Sequence, residues 1–563
     1  MEQIQEEKIS EQDIIKTLFK ERDTYQQTSL TQRNEINEIY DSYMGKLSDT
    51  KDRSKSQEKI MKLRTETAYI VSSIFSGQPK IEVEGVGEED KVISQVIEKI
   101  INYRLETIPQ CYEKIEAWVK QATVFGTSIM KVIWKFETKK EIDPQTQQEY
   151  ETPVKDEPDL EVPNILDCFY NPIIPDVECQ SSIIFRSVIP VDEVKENPIY
   201  DFVNDIGEVN REKVASKGGS GYSQYDSTKQ VRGDKIDLQK AGEGTIDIYE
   251  RVINDRIQTI ADGKEKLVLR DKPKDSGMIE AVKLIHEPNA IPNRFDGLGV
   301  GHNTLGIGKL YQKLSNRLLD AVNLSNNPFF LFKKGSVSNN KQLVVRVGGG
   351  VEVDGEKPLN EYIQAVQFPD IKQGAINLLN KFDDDHKRAS GANDLLQGSA
   401  SNKTLGQDQI ASTYSSNRFE LINRRFKQGL ADVANIIIKL ELKNLQSPDS
   451  PILRIFPQEL RVQIYQLLIS EARDAKYNIK VKGETNVAKN KEIMLREFRE
   501  WLEMFKDSLP PENQMECAKK WLEMRGITDI DKLVPDPQMF AQQQMQQQAM
   551  QQMATGGQPQ VMQ

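Results

Sequence analysis

The sequence predicts an α+β protein in which helices outnumber strands. Between residues 305 and 442, apolar residues recur every three or four positions, which is the period of one helical face. Elsewhere the period changes to alternation between Gly-rich and Asp-Gly turns, which is typical of strands. At 563 residues the chain exceeds one ordinary domain and can bury a large core.

A first helix is predicted for residues 303–327. The segment Ser325-Asn326-Asn327-Pro328 ends it, because Pro lacks an amide donor and forces the preceding residue away from helical angles. The apolar positions that define its face are Ile307, Leu310, Tyr311, Leu314, Leu318 and Val322.

Residues 328–369 follow as a small β-rich insert. Alternating apolar residues predict its strands, and Gly348-Gly349-Gly350 and Asp354-Gly355 supply the turns. Its basic residues Lys333, Lys334, Lys341 and Arg346 fit an ordinary solvated surface.

A second helix is predicted for residues 370–389, with Ile371, Ala375, Leu378, Leu379 and Phe382 inside. Residues 390–406 are too polar and Gly-rich to pack a core, so they predict a mobile loop. A third helix then keeps helical spacing for a length that globular helices seldom reach. Its apolar positions are Tyr414, Phe419, Ile422, Phe426, Leu430, Val433, Ile437 and Leu440.

The first three hundred residues mix helices and strands. Residues 1–50 predict a peripheral helical arm, and the acidic stretch 137–161 predicts a surface hairpin. Residues 204–242 are poor in apolar groups and predict a flexible surface loop. Strands are predicted at "KIEVEG", "DCFYNP", "SSIIFRSVIP", "TIDIYERVI" and "KLVLRD".

After the long helix, "PILRIFPQEL" and "YNIKVKGET" are predicted to pair as strands around the helix "VQIYQLLISEAR". Residues 483–535 predict two further helices. The Gln/Met-rich residues 536–563 favour disorder because of their low complexity.

The composition argues against several classes of function. No apolar run approaches the roughly 20 residues of a membrane helix, and the acidic N-terminus differs from a signal peptide, so we expect no membrane association. Four scattered cysteines lack CxxC spacing, and three histidines give histidine-dependent catalysis little to work with. We therefore expect no enzymatic activity, no cofactor and no metal site.

The formal net charge of −11 argues against a simple basic-patch binder of nucleic acid, because affinity for phosphate comes mainly from Lys and Arg. It is compatible with a conduit through which DNA slides, since an acidic wall repels phosphate. A plain soluble scaffold would have the same charge.

Two motifs have sharper alternative interpretations. The segment Gly297-Leu298-Gly299-Val300-Gly301 suggests a phosphate loop, but no GK[ST] follows, so a turn before a helix is predicted. Asp383-Asp384-Asp385 suggests a metal site of a nuclease, but consecutive helical residues point about 100° apart, so a solvated acidic face is predicted.

Three segments together resemble the portal proteins of tailed double-stranded DNA bacteriophages. "LGIGKLYQKLSNRLLDAVNLSNNPFF" (305–330) is similar to the first stem helix of that family. "RASGANDLLQGSASNKTLGQDQIAS" (388–412) resembles its tunnel-facing loop and the start of the next helix, and "WVKQATVFGTSIMKVIWKFE" (118–137) resembles its helix, Gly turn and strand. The likeness covers residues 55 to 480.

The resemblance implies a mainly helical portal fold of wing, stem, clip and crown that assembles as a ring, with a mixed α/β wing. The implied parts are an N-terminal arm (1–50), wing (51–302), first stem helix (303–327), clip (328–369), second stem helix (370–389), tunnel loop (390–406), long wing helix and strands (407–482), crown (483–535) and C-terminal tail (536–563).

The implied function is a ring-shaped channel of twelve copies at one capsid vertex, through which DNA is packaged and ejected. The partners implied are other copies of the chain, double-stranded DNA bound without sequence specificity, the terminase large subunit, the major capsid and scaffolding proteins, and the head–tail adaptor. The chain would be assembled in the host cytoplasm and reside at the portal vertex of the virion.

The resemblance also implies roles for particular residues. The tunnel loop would face DNA through Gln397, Ser399, Ser401, Asn402, Lys403 and Thr404. The channel side of the second stem helix would carry Asp383, Asp384, Asp385, Lys387 and Arg388, and the clip would dock partners through Lys333, Lys334, Lys341 and Arg346. Two other classes stay open: a metal-dependent nucleic-acid enzyme, and a helical structural or scaffold protein of a virion.

Overall fold

The computed structural model describes residues 10–44, 57–75, 79–87, 90–142, 149–200, 210, 213–215, 244–274, 277–326, 329–332, 363–366, 373–391, 405–470 and 477–482, and single positions at 498, 499, 504, 517, 519, 521 and 522. The chain divides into two compact units, Met1–Gly483 and Glu484–Gln563. All elements named below belong to the first unit, which is α+β as predicted.

Two helices begin the described chain, α1 (Glu11–Thr28) and α2 (Leu30–Met44). Ser10 caps α1, because its hydroxyl accepts a hydrogen bond from the amide of Asp13. The sequence predicts a peripheral arm for residues 1–50. The described helices of this segment lie against the rest of the unit, because Leu18 of α1 and Ile39 of α2 are both completely buried.

A five-stranded antiparallel sheet forms one side of the unit, in the strand order β4-β5-β6-β7-β8. Its strands are β4 (Cys168–Phe169), β5 (Ile183–Pro190), β6 (Thr245–Val252), β7 (Arg256–Asp262) and β8 (Lys266–Pro273). Helix α1 covers one face, where Phe19 packs against Tyr249. The short helix α6 (Val191–Glu196) and Val214 cover the other face, where they meet Ile248.

Part of the predicted flexible loop 204–242 is packed against this sheet. Asn210 is buried, and its side-chain amide donates a hydrogen bond of 3.0 Å to the carbonyl oxygen of Val268. Val214 is only 2% exposed. The prediction of flexibility is therefore wrong for these residues, and residues 216–243 lie outside the described part of the chain.

A three-stranded antiparallel sheet has the order β3-β2-β9. It consists of β2 (Thr127–Ile142), β3 (Glu149–Glu161) and β9 (Ala281–Ile285), so the hairpin predicted for 137–161 is confirmed, with residues 143–148 outside the described chain. Lys131 of β2 joins the two sheets, because its ammonium group lies 2.8 Å from Glu250 of β6.

The largest core is mainly helical and contains α3 (Gln57–Ile74), α4 (Asp90–Thr107), α5 (Cys111–Phe125) and the 40-residue helix α9 (Leu405–Asn444). Trp118 of α5 is completely buried near Gly429 of α9. The guanidinium of Arg104 on α4 binds the carboxylates of Glu441 on α9 and Glu157 on β3. Burial raises the pKa of Glu441, although Arg104 opposes the shift.

Two predictions for the segment after α9 are wrong. Residues Pro451–Ile455 form a 3-10 helix instead of a strand, because Pro fixes φ near the value that such a turn needs. The strand β12 (Tyr477–Lys482) pairs antiparallel with β1 (Lys80–Gly85), which lies almost four hundred residues earlier in the chain. The helix predicted between them is confirmed as α10 (Arg461–Ser470).

Candidate functional site

A pair of helices joined through paired strands stands out as the candidate site, and we call it the helical hairpin. It consists of α7 (Val300–Asn326), β10 (Phe329–Phe332), β11 (Ile363–Val366) and α8 (Gln373–Ser390). Because β10 and β11 pair antiparallel, with Phe329 opposite Val366, the chain that leaves α7 returns to α8 at the same end of the ladder. Helices α7 and α8 pack against each other.

The glycine motif before α7 serves close packing of the backbone. A Cβ atom added to Gly299 would lie 2.5 Å from the amide nitrogen of Gly126, and one added to Gly297 would lie 2.8 Å from the carbonyl oxygen of Gly126. Gly126 itself ends α5 with φ of 86°, a left-handed conformation that favours glycine. The turn predicted for Gly297–Gly301 is thus a contact between the ends of two helices, which explains its glycines without a phosphate ligand.

His302 caps the first turn of α7. Its Nδ1 atom accepts a hydrogen bond of 3.1 Å from the amide of Gly299, which requires that this nitrogen carry no proton. Burial lowers the pKa of His302, and Asp296 opposes this shift. The neutral imidazole is therefore the form that fits the fold.

One face of α7 is exposed and basic. Lys309, Lys313 and Arg317 follow one another at four-residue spacing, and all three side chains are exposed. The ammonium group of Lys309 lies 2.7 Å from Glu38 of α2, which holds this part of α7 against the N-terminal helices. The sequence interpretation missed this row, although its spacing within a predicted helix was the signal that could have revealed it.

Helix α8 is anchored at its C-terminal end by a buried polar contact. Nδ1 of His386 lies 3.0 Å from Oε1 of Glu66 on α3, and both side chains are less than 5% exposed. Ser390 is buried beside this end of the helix. The sequence places Leu378 inside, but it is 42% exposed, because the buried face of α8 continues through His386 and Ser390 instead.

The residues of α8 predicted to face a channel are in different environments. Asp383 lies 3.5 Å from Lys387 one turn later, so these two charges form an ion pair within the helix. Asp384 and Arg388 are exposed, and Asp385 is half-buried. The three aspartates therefore differ in exposure, and their place on a channel wall stays a prediction.

The remaining predicted site residues lie outside the described chain. They are Gln397, Ser399, Ser401, Asn402, Lys403 and Thr404 of the tunnel loop and Lys333, Lys334, Lys341 and Arg346 of the clip. Their roles stay predictions. The structure describes both ends of the predicted loop 390–406: Ser390 ends α8 and Gly391 follows it, and Leu405 begins α9.

Helix α9 connects the loop to the core. It spans about 60 Å at 1.5 Å per residue. Arg425 donates a hydrogen bond of 2.6 Å to the carbonyl oxygen of His286, next to the glycine contact at the base of α7. Helices α7 and α9 are thus both fixed to the segment around β9.

The described residues give little support for a metal site, a cysteine nucleophile or a membrane-spanning helix. Among them, no three His, Cys, Asp or Glu side chains are placed to hold a metal ion together. Burial raises the pKa of the Cys111 thiol to about 11 and also raises that of Cys168, so neither is a ready nucleophile at neutral pH. No helix in the described part of the chain is both long enough and apolar enough to cross a membrane.

Comparison with known proteins points to one family. The family model described as phage SU10 portal protein matches residues 12–165 and 284–562, which is most of the chain. The matched ranges include the helical hairpin and all of α9, while most of the five-stranded sheet lies between them. A search of curated proteins finds no match.

Proposed function

Because the chain belongs to the phage SU10 portal protein family and is a phage portal protein, we propose that twelve copies form a closed ring at one vertex of the capsid. DNA enters and leaves the capsid through the central channel of this ring. The family match carries the portal function, and the helical hairpin provides the surface that supports assembly.

Several apolar side chains of the helical hairpin are exposed in the single chain. Burying such side chains against another copy is favourable, at about 25 cal/mol for each Å² removed from water. When two different surfaces of identical copies bind each other head to tail, the assembly closes into a ring if the rotation between copies allows it. The exposed apolar residues of α7 and α8 are Leu310, Leu319, Val322, Ile376 and Leu378.

In this proposal α7 and α8 are the two stem helices. Residues 390–406 surround the channel as the tunnel loop, and residues 328–369 form the clip, which docks first the terminase large subunit and then the head–tail adaptor. Residues 51–302 and 407–482 form the wing towards the capsid and scaffolding proteins, and residues 483–535 form the crown. The chain has no catalytic role, and ATP hydrolysis belongs to the separate terminase motor.

The test is electron microscopy of the purified full-length protein in negative stain, together with its mass in solution. We expect closed rings with a hole wide enough for duplex DNA and a mass of about a dozen chains of 64.3 kDa each. Open fibres, or a small assembly with Mg²⁺-dependent activity on DNA, would contradict the ring and support the structural or enzymatic alternative.

A pair of variants tests the stem interface directly. Leu319→Glu with Leu378→Glu places charges on exposed apolar positions of α7 and α8, so the fraction of protein in rings should fall at least tenfold. Ile173→Glu with Ile291→Glu changes two exposed isoleucines in loops outside the helical hairpin and should leave ring formation unchanged. Equal effects of the two double variants would contradict the assignment of α7 and α8 to the interface.

A further inference from the structure

The basic row of α7 has the geometry of a charged strip. Each step of four residues advances about 6 Å along the helix and about 40° around it, so Lys309, Lys313 and Arg317 share an arc of about 80°. Tyr311 lies on the opposite side of the helix and is buried, which fixes this arc as the outward face. The strip is positive on a chain whose net charge is −11.

Two of the three cations keep their charge available. Lys309 is paired with Glu38. Lys313 and Arg317 form no hydrogen bond or ion pair among the described residues. An exposed cation without a carboxylate partner attracts anions from solution, and the attraction falls as salt screens it.

The surroundings of the strip favour a solvated, charged partner over a second protein surface. Gly306 and Asp320 share its arc, and Leu310 lies about 20° beyond its edge, so one large apolar residue borders the charges among the side chains that the structure describes. Lys is depleted at the cores of protein–protein interfaces whereas Arg is enriched there, so Lys309 and Lys313 favour a solvated partner and Arg317 fits either kind. Asp320 reduces the net charge of the arc but leaves it positive.

We propose that Lys313 and Arg317 contact the phosphates of double-stranded DNA within the channel. This inference rests on the proposed ring, in which α7 is a stem helix. A duplex presents one phosphate charge for each 1.7 Å of its axis, so two cations about 6 Å apart reach different phosphates. Few cations on an otherwise acidic chain give weak contacts, which suit DNA that has to move.

The test compares two double variants of the full-length protein. Lys313→Gln with Arg317→Gln removes the two available cations of the strip. Lys16→Gln with Lys20→Gln is the matched control, because it removes two exposed cations at the same four-residue spacing from α1. Both changes alter the charge of each copy by the same amount.

The readout is the salt dependence of binding to a short linear duplex. The logarithm of the affinity falls with the logarithm of salt concentration, with a slope of about 0.9 for each phosphate contacted. We expect the slope of the strip variant to be shallower by about 1.8 for every copy that engages DNA, and the control to keep the slope of the unchanged protein. Closed circular duplex cannot thread a ring, so the two double variants should bind it alike.

The other outcomes separate the inference from the function on which it rests. Intact rings of the strip variant with an unchanged slope would overturn the inference and leave the portal ring standing. Loss of rings in the strip variant alone would show that the strip binds a neighbouring copy instead of DNA. Absence of rings in the unchanged protein would refute the proposed assembly, and this inference with it.

Discussion

The glycine contact at the base of α7 gives a sharp prediction about stability. In Gly299→Ala, the new Cβ atom would lie 2.5 Å from the amide nitrogen of Gly126, 2.6 Å from the carbonyl oxygen of Val124 and 2.7 Å from that of Thr123. All three neighbours are backbone atoms of α5 and the turn after it, so no side chain can rotate away. The backbone has to move by roughly 0.7–0.9 Å to restore ordinary contact distances of 3.4 Å, and such overpacking costs about 1–3 kcal/mol.

A matched control lies on the same helix. Gly306 is in the second turn of α7, and a Cβ atom added there meets no other atom within 4 Å. Because Ala favours a helix over Gly by up to about 1 kcal/mol, Gly306→Ala should stabilise the protein slightly. The same Gly-to-Ala change is therefore expected to destabilise the protein at position 299 and to stabilise it at position 306.

Chemical denaturation followed by tryptophan fluorescence measures both effects, since Trp118 is completely buried in the core that contains α5 and α9. We expect the free energy of unfolding to fall by about 2 kcal/mol in Gly299→Ala and to rise by up to about 1 kcal/mol in Gly306→Ala. If Gly299→Ala were as stable as the unchanged protein, the glycines would have a role other than close packing, and the phosphate-loop interpretation would need to be reconsidered.

Three further predictions concern buried titratable groups. His386→Phe should lower the free energy of unfolding by about 3 kcal/mol because it leaves the carboxylate of Glu66 buried without its partner. Adding Glu66→Leu should recover part of that stability. If the two changes lowered stability additively in a double-mutant cycle, the pair would not be coupled. Burial lowers the pKa of Lys131, but Glu250 and Glu161 together outweigh burial and raise it. Lys131→Met should therefore cost about 3–5 kcal/mol in urea titrations because it leaves the buried carboxylate of Glu250 without its partner, and a neutral result would refute the contact between the sheets. The pKa of His302 is lowered in the fold, so its contribution to stability is complete above the unfolded pKa of about 6.5 and is lost as the pH falls below it, by at most about 1.4 kcal/mol per pH unit. His302→Asn should therefore flatten the pH dependence of the free energy of unfolding between pH 7 and 5. An unchanged pH dependence would show that another group causes it.

The sequence predicts the helices of the hairpin well and their environment less well. The three-to-four-residue period identifies α7, and Asn-Pro identifies its end. The period cannot tell a face buried in the same chain from one that is exposed, and Leu310 is 53% exposed although it belongs to the apolar face. In α8 the buried face is completed by the polar His386, whose burial is possible only because Glu66 of a distant helix provides its partner.

Pairing between distant segments is the other feature that sequence patterns could not supply. Alternation correctly identifies "KIEVEG" and "YNIKVKGET" as strands, but nothing in either segment specifies the other as its partner. The outer edge of β1 is closed in a way that is also invisible in the sequence: the amides of Ile81 and Val83 donate to the side chains of Asn102 and Glu98 on α4. Side-chain bonds of this kind protect a strand edge that would otherwise pair with another chain.

The two ends of the hairpin are attached to the core by different kinds of contact, and this difference explains why the sequence revealed one of them. The base of α7 depends on the absence of side chains at Gly297 and Gly299, and a run of glycines is visible in any sequence as a motif that demands an explanation. The base of α8 is anchored through side chains, among them the hydrogen-bonded pair of His386 with Glu66, whose members are separated by 320 residues and look ordinary one at a time. Backbone contact fixes α7 through atoms that cannot change rotamer, whereas the anchor of α8 is made by side chains that can. In the proposed ring, where stem helices would meet neighbouring copies, small differences in packing would therefore be absorbed at α8 sooner than at α7, and the basic row of α7 would keep a fixed position.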